Sequence, residues 1–225
     1  MGSGYYVTGT DTAAGKTLVS VTLLHALRAG GKSAVGMKPV ASGCVQTPQG
    51  WRNEDALALQ SASEPCPPYD LVNPFALPAA TAPQIAAAAD GITVALPPIL
   101  AAYQALAKTA DAVVVEGVGG WLAPLADDLE QAQLARALGL PVILVVGIKL
   151  GCLSHARLSE QAILADGLRL AGWIGNAVSA EMDFSDEYFV LLRRALQSPC
   201  LGLLPHAPGA SPGSLAGHLS LARQA

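Results

Sequence analysis

Residues Tyr5 to Ser20 read YYVTGTDTAAGKTLVS. The β-branched and aromatic run at the start predicts a strand over Tyr5–Gly9. Leu18, Val21, Leu24 and Leu27 recur at helical spacing, which predicts a helix over Thr17–Arg28, stopped by Gly30-Gly31. Between the two lies GTDTAAGKT. A phosphate-binding loop has the pattern G-x-x-x-x-G-K-[ST] between a strand and a helix. Here the context and the terminal GKT are right, but five residues instead of four separate Gly9 from Gly15. In such a loop the glycines let backbone approach oxygen closely, and the amides and the helix N-terminus supply partial positive charge. Lys16 would reach the terminal phosphates and the Thr17 hydroxyl would ligate Mg²⁺. The loop residues Ala13, Ala14, Gly15, Lys16, Thr17 and Leu18 are therefore candidates to surround a nucleotide.

The rest of the chain alternates in the same way. Further strands are expected at Ser33–Val40, Asp111–Glu116, Pro141–Gly147, Gly172–Val178 and Leu201–Leu204. Helices are expected at Asn53–Gln60, Pro97–Lys108, Leu129–Leu138, His155–Leu168 and Asp186–Leu196. Pro65 to Pro83 is Pro-rich and reads as ordered loop with short turns, and the stretch after Pro205 is weakly patterned. Continuous apolar strands separated by helices define an α/β fold, a parallel sheet with helices on both faces, of the P-loop NTPase type. One domain over residues 1–225 is expected.

Composition narrows the partners. The chain has 225 residues, 52% of them apolar and 13% charged, with a formal net charge of −4. It contains no basic run, which argues against nucleic acid. No apolar run reaches the ~18–20 residues that span a bilayer, so no membrane partner is expected. Cys44, Cys66, Cys152 and Cys200 lie far apart without a C-x-x-C pair, which fits reduced thiols in a cytoplasmic protein.

Ligands on parallel sheets bind at the carboxyl ends of strands, so the loops that follow strands carry the chemistry. KPVASG, Lys38–Gly43, ends the second strand. Lys38 is either a solvated lysine before a turn or, beside a phosphate loop, a group that neutralises charge in phosphoryl transfer. Asp55 heads the helix in NEDALAL, where taken alone an acidic residue complements the helix dipole. Glu116 ends a buried strand at VVVEGVGG, and a carboxylate there needs a cation. Ile148–Ala156, IKLGCLSHA, opens a helix whose amides either cap it plainly or bind a carboxylate. Asn176 in WIGNAV is placed to read a base edge. It lacks the guanine-reading N-K-x-D pattern, which favours ATP over GTP.

Taken together, VTGTDTAAGKT, KPVASG, NEDALAL, VEGVGGW, PVILVVGIKLGC and LAGWIGN, in this order from residue 5 to about 178, resemble the dethiobiotin synthetase family. The extended phosphate loop is that family's own form. The resemblance implies an ATP-dependent ligase of biotin biosynthesis, acting on 7,8-diaminononanoate, CO₂ or bicarbonate and ATP with Mg²⁺. One amine would form a carbamate, the γ-phosphoryl group would activate it, and the second amine would close the ring. Lys16 and Lys38 would offset charge, and Thr17, Asp55 and Glu116 would hold Mg²⁺. Thr12 and Ser42 would hydrogen-bond the carbamate or amine. Gly117, Val118 and Gly119 would border the nucleotide, and Asn176 would contact adenine beside Pro205, His206 and Ala207. A homodimer is implied, with the substrate's carboxylate tail at Gly151, Cys152 and Leu153 of the neighbouring subunit. Three positions depart from the common family pattern: Ala13 stands in place of Glu, Ala177 in place of Asp and Ser154 in place of Asn. The competing readings are a partitioning-type ATPase switch and a related amide-forming synthase with a glutaminase domain. The first often carries a signature lysine early in the loop, where this chain has Thr10 and Asp11, and the second needs a longer chain.

Overall fold

The strand that feeds the phosphate loop lies inside a six-stranded parallel sheet, flanked on both sides by strands made much later in the chain. The computed structural model describes residues 3–221, so the one domain expected over 1–225 extends beyond them at both ends. In chain order, β1 (Ser3–Gly9) leads through the loop to α1 (Lys16–Ala29), then β2 (Ala34–Met37), β3 (Val40–Ser42), and a hairpin of β4 (Val45–Thr47) and β5 (Gly50–Arg52). There follow α2 (Glu54–Ala62), α3 (Tyr69–Val72), β6 (Phe75–Leu77), α4 (Pro83–Ala89), α5 (Leu96–Leu106) and β7 (Ala112–Gly120). The second half runs β8 (Pro124–Ala126), β9 (Leu129–Glu130), α6 (Gln131–Leu138), β10 (Val142–Ile148), α7 (Cys152–Ala165), β11 (Leu170–Ala177), α8 (Ser185–Ala195) and β12 (Cys200–Leu204). A 3-10 helix over Pro212–His218 closes it.

The main sheet has the order β12-β11-β10-β1-β7-β2. Its strands are apolar at most positions because both faces are covered. Tyr6, Val113, Val115, Val142, Leu144 and Val146 point to one face, where Ile99 and Leu106 of α5, Leu134 of α6 and Ile163 of α7 meet them. Tyr5, Val7, Val114, Ile143 and Val145 point to the other, against Val19, Leu23 and Leu27 of α1 and Leu59 of α2. The two-residue period of a strand divides each apolar run between two cores.

Several expected elements change at their ends. The strand expected over Ser33–Val40 stops at Met37, because Pro39 cannot continue the ladder. Val40–Ser42 instead pairs in parallel with Phe75–Leu77 in a separate ribbon. The Pro-rich segment is not plain loop, since it contains α3 and β6. The helix expected from His155 begins at Cys152, one turn earlier, behind a left-handed Gly151. The helix expected from Leu129 begins at Gln131, because Leu129 and Glu130 pair with Pro124–Ala126. The strand expected to end at Glu116 continues to Gly120. The weakly patterned tail holds the 3-10 helix, whose Leu215 joins the core beneath α1.

Candidate active site

The carboxyl ends of β1, β2 and β7 converge on a cleft of about 320 Å³. Thr12, Gly15, Lys16, Thr17, Lys38, Ser42, Asp55, Glu116 and Gly119 all border it, together with Ala13 and Val118. A larger cavity, about 430 Å³, lies at the far end of α1 against the 3-10 helix. Apart from Lys32 its lining is apolar or small, so it lacks the convergent polar groups of the first.

The phosphate loop is held at both ends. The Thr10 amide donates to Val145 O at 3.0 Å. Gly15, at φ 88°, caps α1 in the left-handed region, and a Cβ there would lie 2.1 Å from Asn176 Nδ2. Backbone angle and close approach thus both require glycine at this position. Lys16 is buried and folds back on the loop, donating to Asp11 O at 2.9 Å. Burial lowers its pKa to about 8, the Lys38 charge adds to this, and the carboxylates of Glu116, Asp11 and Asp55 offset only part of the shift.

Lys38 and Glu116 sit at the centre. Lys38 is 3% exposed and Glu116 fully buried. Lys38 Nζ donates to Glu116 Oε1 at 2.6 Å, to Asp55 Oδ2 at 3.1 Å and to Gly117 O at 3.2 Å. The Thr17 hydroxyl donates to the same Glu116 oxygen at 2.9 Å. Burial pulls the Lys38 pKa down, but Glu116 and Asp55 outweigh it and hold the ammonium above its ordinary value. Burial likewise works against ionised Asp55, yet the Lys38 charge and hydrogen bond win and its carboxyl lies below the usual range.

The segment from Pro65 to Pro83, to which the sequence assigned no role, braces Lys38. The Lys38 amide donates to Val72 O at 2.8 Å, and Asn73 Nδ2 donates to Lys38 O at 2.7 Å. Asp55 is placed by the N-cap of α2, where Asn53 Oδ1 accepts from the amides of Asp55 and Ala56. Asp55 is thus both the dipole-complementing residue of its helix and a partner of Lys38.

A divalent cation fits this geometry. Among the described residues no group of three or more His, Cys, Asp or Glu forms a metal cage. Mg²⁺, however, is commonly held by one or two carboxylates together with substrate phosphates. Glu116 Oε2 is buried without a hydrogen-bond partner, beside the Thr17 hydroxyl and Asp55. The donor set is all oxygen, as a hard cation requires.

The other candidates divide. Asn176, 5% exposed, donates from Nδ2 to Ala14 O at 3.0 Å, while its Oδ1 is buried without a partner. It therefore ties the carboxyl end of β11 to the phosphate loop. Leu204 is registered opposite Asn176, which brings Pro205, His206 and Ala207 alongside at the strand ends. Ala14 and Leu18 do not line the cleft but pack into or against the core. Gly151, Cys152 and Leu153 form the start of α7 outside the cleft, and Lys149 just before them pairs with Asp11 of the loop at 2.8 Å. The sequence reading missed this pair, and it missed Gln131, buried behind the β7 turn. Neither carries a motif signal, because each acts through one tertiary contact.

A glycine-bounded loop between strand and helix, a buried lysine at the helix start and an acidic strand end define a P-loop nucleotide-binding protein. The solved structures agree on the fold. The MinC:MinD cell division complex of Aquifex aeolicus matches with a TM-score of 0.56 at 13% identity, covering 96% of this chain and 87% of that one. The signal recognition particle receptor FtsY of Elizabethkingia anophelis with GDP matches at 0.55 and 16%, covering 99% and 61%. A family model described as an AAA domain matches residues 3–213. The ATP-dependent dethiobiotin synthetase BioD of Xylella fastidiosa strain 9a5c is 60% identical over 218 residues, 96% of each chain. Its counterpart in Xanthomonas euvesicatoria pv. vesicatoria is 58% identical over 219 residues, 97% of this chain and 98% of the other. The chain belongs to the ATP-dependent dethiobiotin synthetase family, and with it to the ATP-dependent ligases. Among the described residues no helix is long and apolar enough to cross a membrane.

Proposed function

We propose that this chain converts 7,8-diaminononanoate, CO₂ and ATP to dethiobiotin, ADP and phosphate. The observation that carries this reading is the Lys38 ammonium, buried between Glu116 and Asp55 in the same cleft that Lys16 lines. A reaction that brings a carbamate and a triphosphate together needs fixed positive charge more than it needs a protein nucleophile.

One amine of the substrate attacks CO₂ and loses a proton, forming a carbamate. A carbamate oxygen attacks the γ-phosphorus, the bond to ADP breaks, and a carbamic-phosphoric anhydride results. The second amine then attacks the carbamoyl carbon, loses its proton, closes the cyclic urea and expels phosphate. Lys16 leaves Asp11 O for the phosphate oxygens, and Lys38 faces the carbamate and the transferring group. The hydroxyls of Thr12 and Ser42, both of which line the cleft, orient the carbamate and amine. Asn176 Oδ1, buried and without a partner, is the acceptor offered to the adenine amino group. Thr17, Asp55 and Glu116 would hold Mg²⁺, which when bound neutralises β- and γ-phosphate charge.

A second copy of the chain covers the start of α7. Leu150, just before α7, and Leu158 within it are exposed, at 85% and 62%, and the segment from Gly151 to Leu153 then meets the substrate's carboxylate tail. The whole chain acts as one domain in the cytoplasm. The deciding experiment measures phosphate release from MgATP with and without 7,8-diaminononanoate and bicarbonate. Release that needs both, with stoichiometric dethiobiotin, is expected. Release indifferent to the diamine would replace the ligase by an ATPase switch.

A further inference from the structure

Glu116 owes its position to a turn in β7 that does not hold itself. Val7 of β1 is registered against Glu116, but Gly9 is registered against Gly120. Three residues of β7, Gly117 to Val118 to Gly119, therefore stand opposite Thr8 alone. Such a bulge leaves ladder groups unpaired. This one also carries the functional surface, because Gly117 O accepts from Lys38 and Val118 and Gly119 wall the cleft.

Gln131 spans the bulge from behind. Its side chain is completely buried. Oε1 accepts from the Val118 amide at 2.5 Å and Nε2 donates to Gly120 O at 2.5 Å. The donor and acceptor it meets fix which way the amide points. A Cβ on Gly117 would lie 2.0 Å from Gln131 Oε1, so the bulge has been cut to admit this side chain. Gln131 is itself anchored. Its amide donates to Ala123 O at 3.1 Å, and a capping box between Glu130 and Gln133 fixes the first turn of α6 around it.

We propose that Gln131 is a positioning residue for the metal and phosphoryl-transfer site, acting through the β7 bulge. It touches neither substrate nor metal. It holds Glu116 and the Gly117 carbonyl at the separation from which one side of the turn meets Lys38 and the other faces the cation. The proposal rests on the proposed function for what the site transfers, but not for the cation and nucleotide it binds.

The test uses the full chain with Gln131→Met, which keeps side-chain length and removes both hydrogen bonds. ADP binding is measured by calorimetry across a Mg²⁺ titration, beside turnover and the thermal midpoint. The Mg²⁺ concentration needed for half-maximal tightening of ADP should rise about tenfold, as loss of an outer-shell support does. Affinity without Mg²⁺ should stay within about twofold of the parent, and kcat should fall about tenfold while KM for ATP at saturating Mg²⁺ moves less. Glu160→Gln, a buried change remote from the cleft, is the control. It should lower the thermal midpoint without moving the Mg²⁺ midpoint. A folded Gln131→Met with the parent's Mg²⁺ midpoint and kcat overturns the proposal. Should that variant not fold, Gln131→Glu carries the same measurement, since it keeps the acceptor for Val118 and loses only the donor. Failure of both to fold counts for a purely structural role and against the proposal. A parent that binds MgADP but makes no dethiobiotin would sink the ligase assignment and leave the Gln131 comparison intact.

Discussion

Lys38 Nζ and Glu116 Oε1 lie 2.6 Å apart in a place that water scarcely reaches. Each is costly to bury alone, and together with Asp55 they form a cluster of one cation and two carboxylates. Breaking such a pair from one side leaves a buried charge uncompensated, at a cost of about 3–5 kcal/mol. Lys38→Met should therefore lose stability and, at temperatures where it stays folded, turn over at least ~10²-fold more slowly while still binding ATP. Mg²⁺ should raise the thermal midpoint of this variant more than that of the parent, because the cation supplies the missing positive charge. Equal shifts in the two proteins would mean that Lys38 and the metal do not share the carboxylates.

Glu116→Gln keeps the shape of the side chain and removes its charge. The Mg²⁺ concentration for half-maximal turnover should rise by roughly 10–100-fold, with ATP affinity in the absence of metal unchanged or improved. An unmoved Mg²⁺ titration would take Glu116 out of the metal shell.

Lys16 gives the nucleotide site a pH dependence with a definite sign. Its folded pKa, about 8, lies below the ordinary lysine value. Between that value and the unfolded one the unfolded chain binds more protons, so this group makes the nucleotide-free protein more stable as pH rises. Nucleotide binding reverses the preference, because phosphate favours the ammonium. ADP affinity should fall as pH rises through about 8, and calorimetry near that pH in buffers of different ionisation heat should show net proton uptake. Lys16→Gln should abolish the uptake. Binding without proton uptake in the parent would show that Lys16 is already fully charged before nucleotide arrives.

Glu160 tests the opposite case, a buried carboxylate with no part in the chemistry. Its oxygens accept from the amides of Gln197 and Ser198 and from the Ser198 hydroxyl, tying α7 to the turn before β12. Glu160→Ala strands these donors and should cost about 1–3 kcal/mol. Denaturant unfolding should register the loss, while kcat per folded molecule stays at the parent value. A fall in kcat would mean that this corner supports the site after all.

The sequence made the sheet legible because its strands are apolar on both faces, and it made the cleft legible because phosphate chemistry demands glycine, lysine and hydroxyl at fixed spacing. It was less informative where structure comes from long-range pairing. The ribbon of Val40–Ser42 with Phe75–Leu77 and the brace of Asn73 on Lys38 join segments that carry no mutual signal in the chain. Lys38 looked ambiguous by itself because its partners, Asp55 and Glu116, lie on other elements. Gln131 carries no motif signal because its contacts, with Val118 and Gly120, are to another element. Helix starts shifted where a preceding residue found a strand partner, as at Leu129, or where Gly151 turned the chain early.

The order of strands also bears on how the protein is made. β1 leaves the ribosome well before either of its neighbours, Ala112–Gly120 and Val142–Ile148. Non-local pairings of this kind are slow to form. The apolar strand and the helix behind it must therefore wait, without a sheet to enter, until those two strands have been translated. The loop that follows β1 is thus synthesised before the strands that shape it, so the nascent protein passes through an interval in which this segment is open to chaperones before its cleft exists.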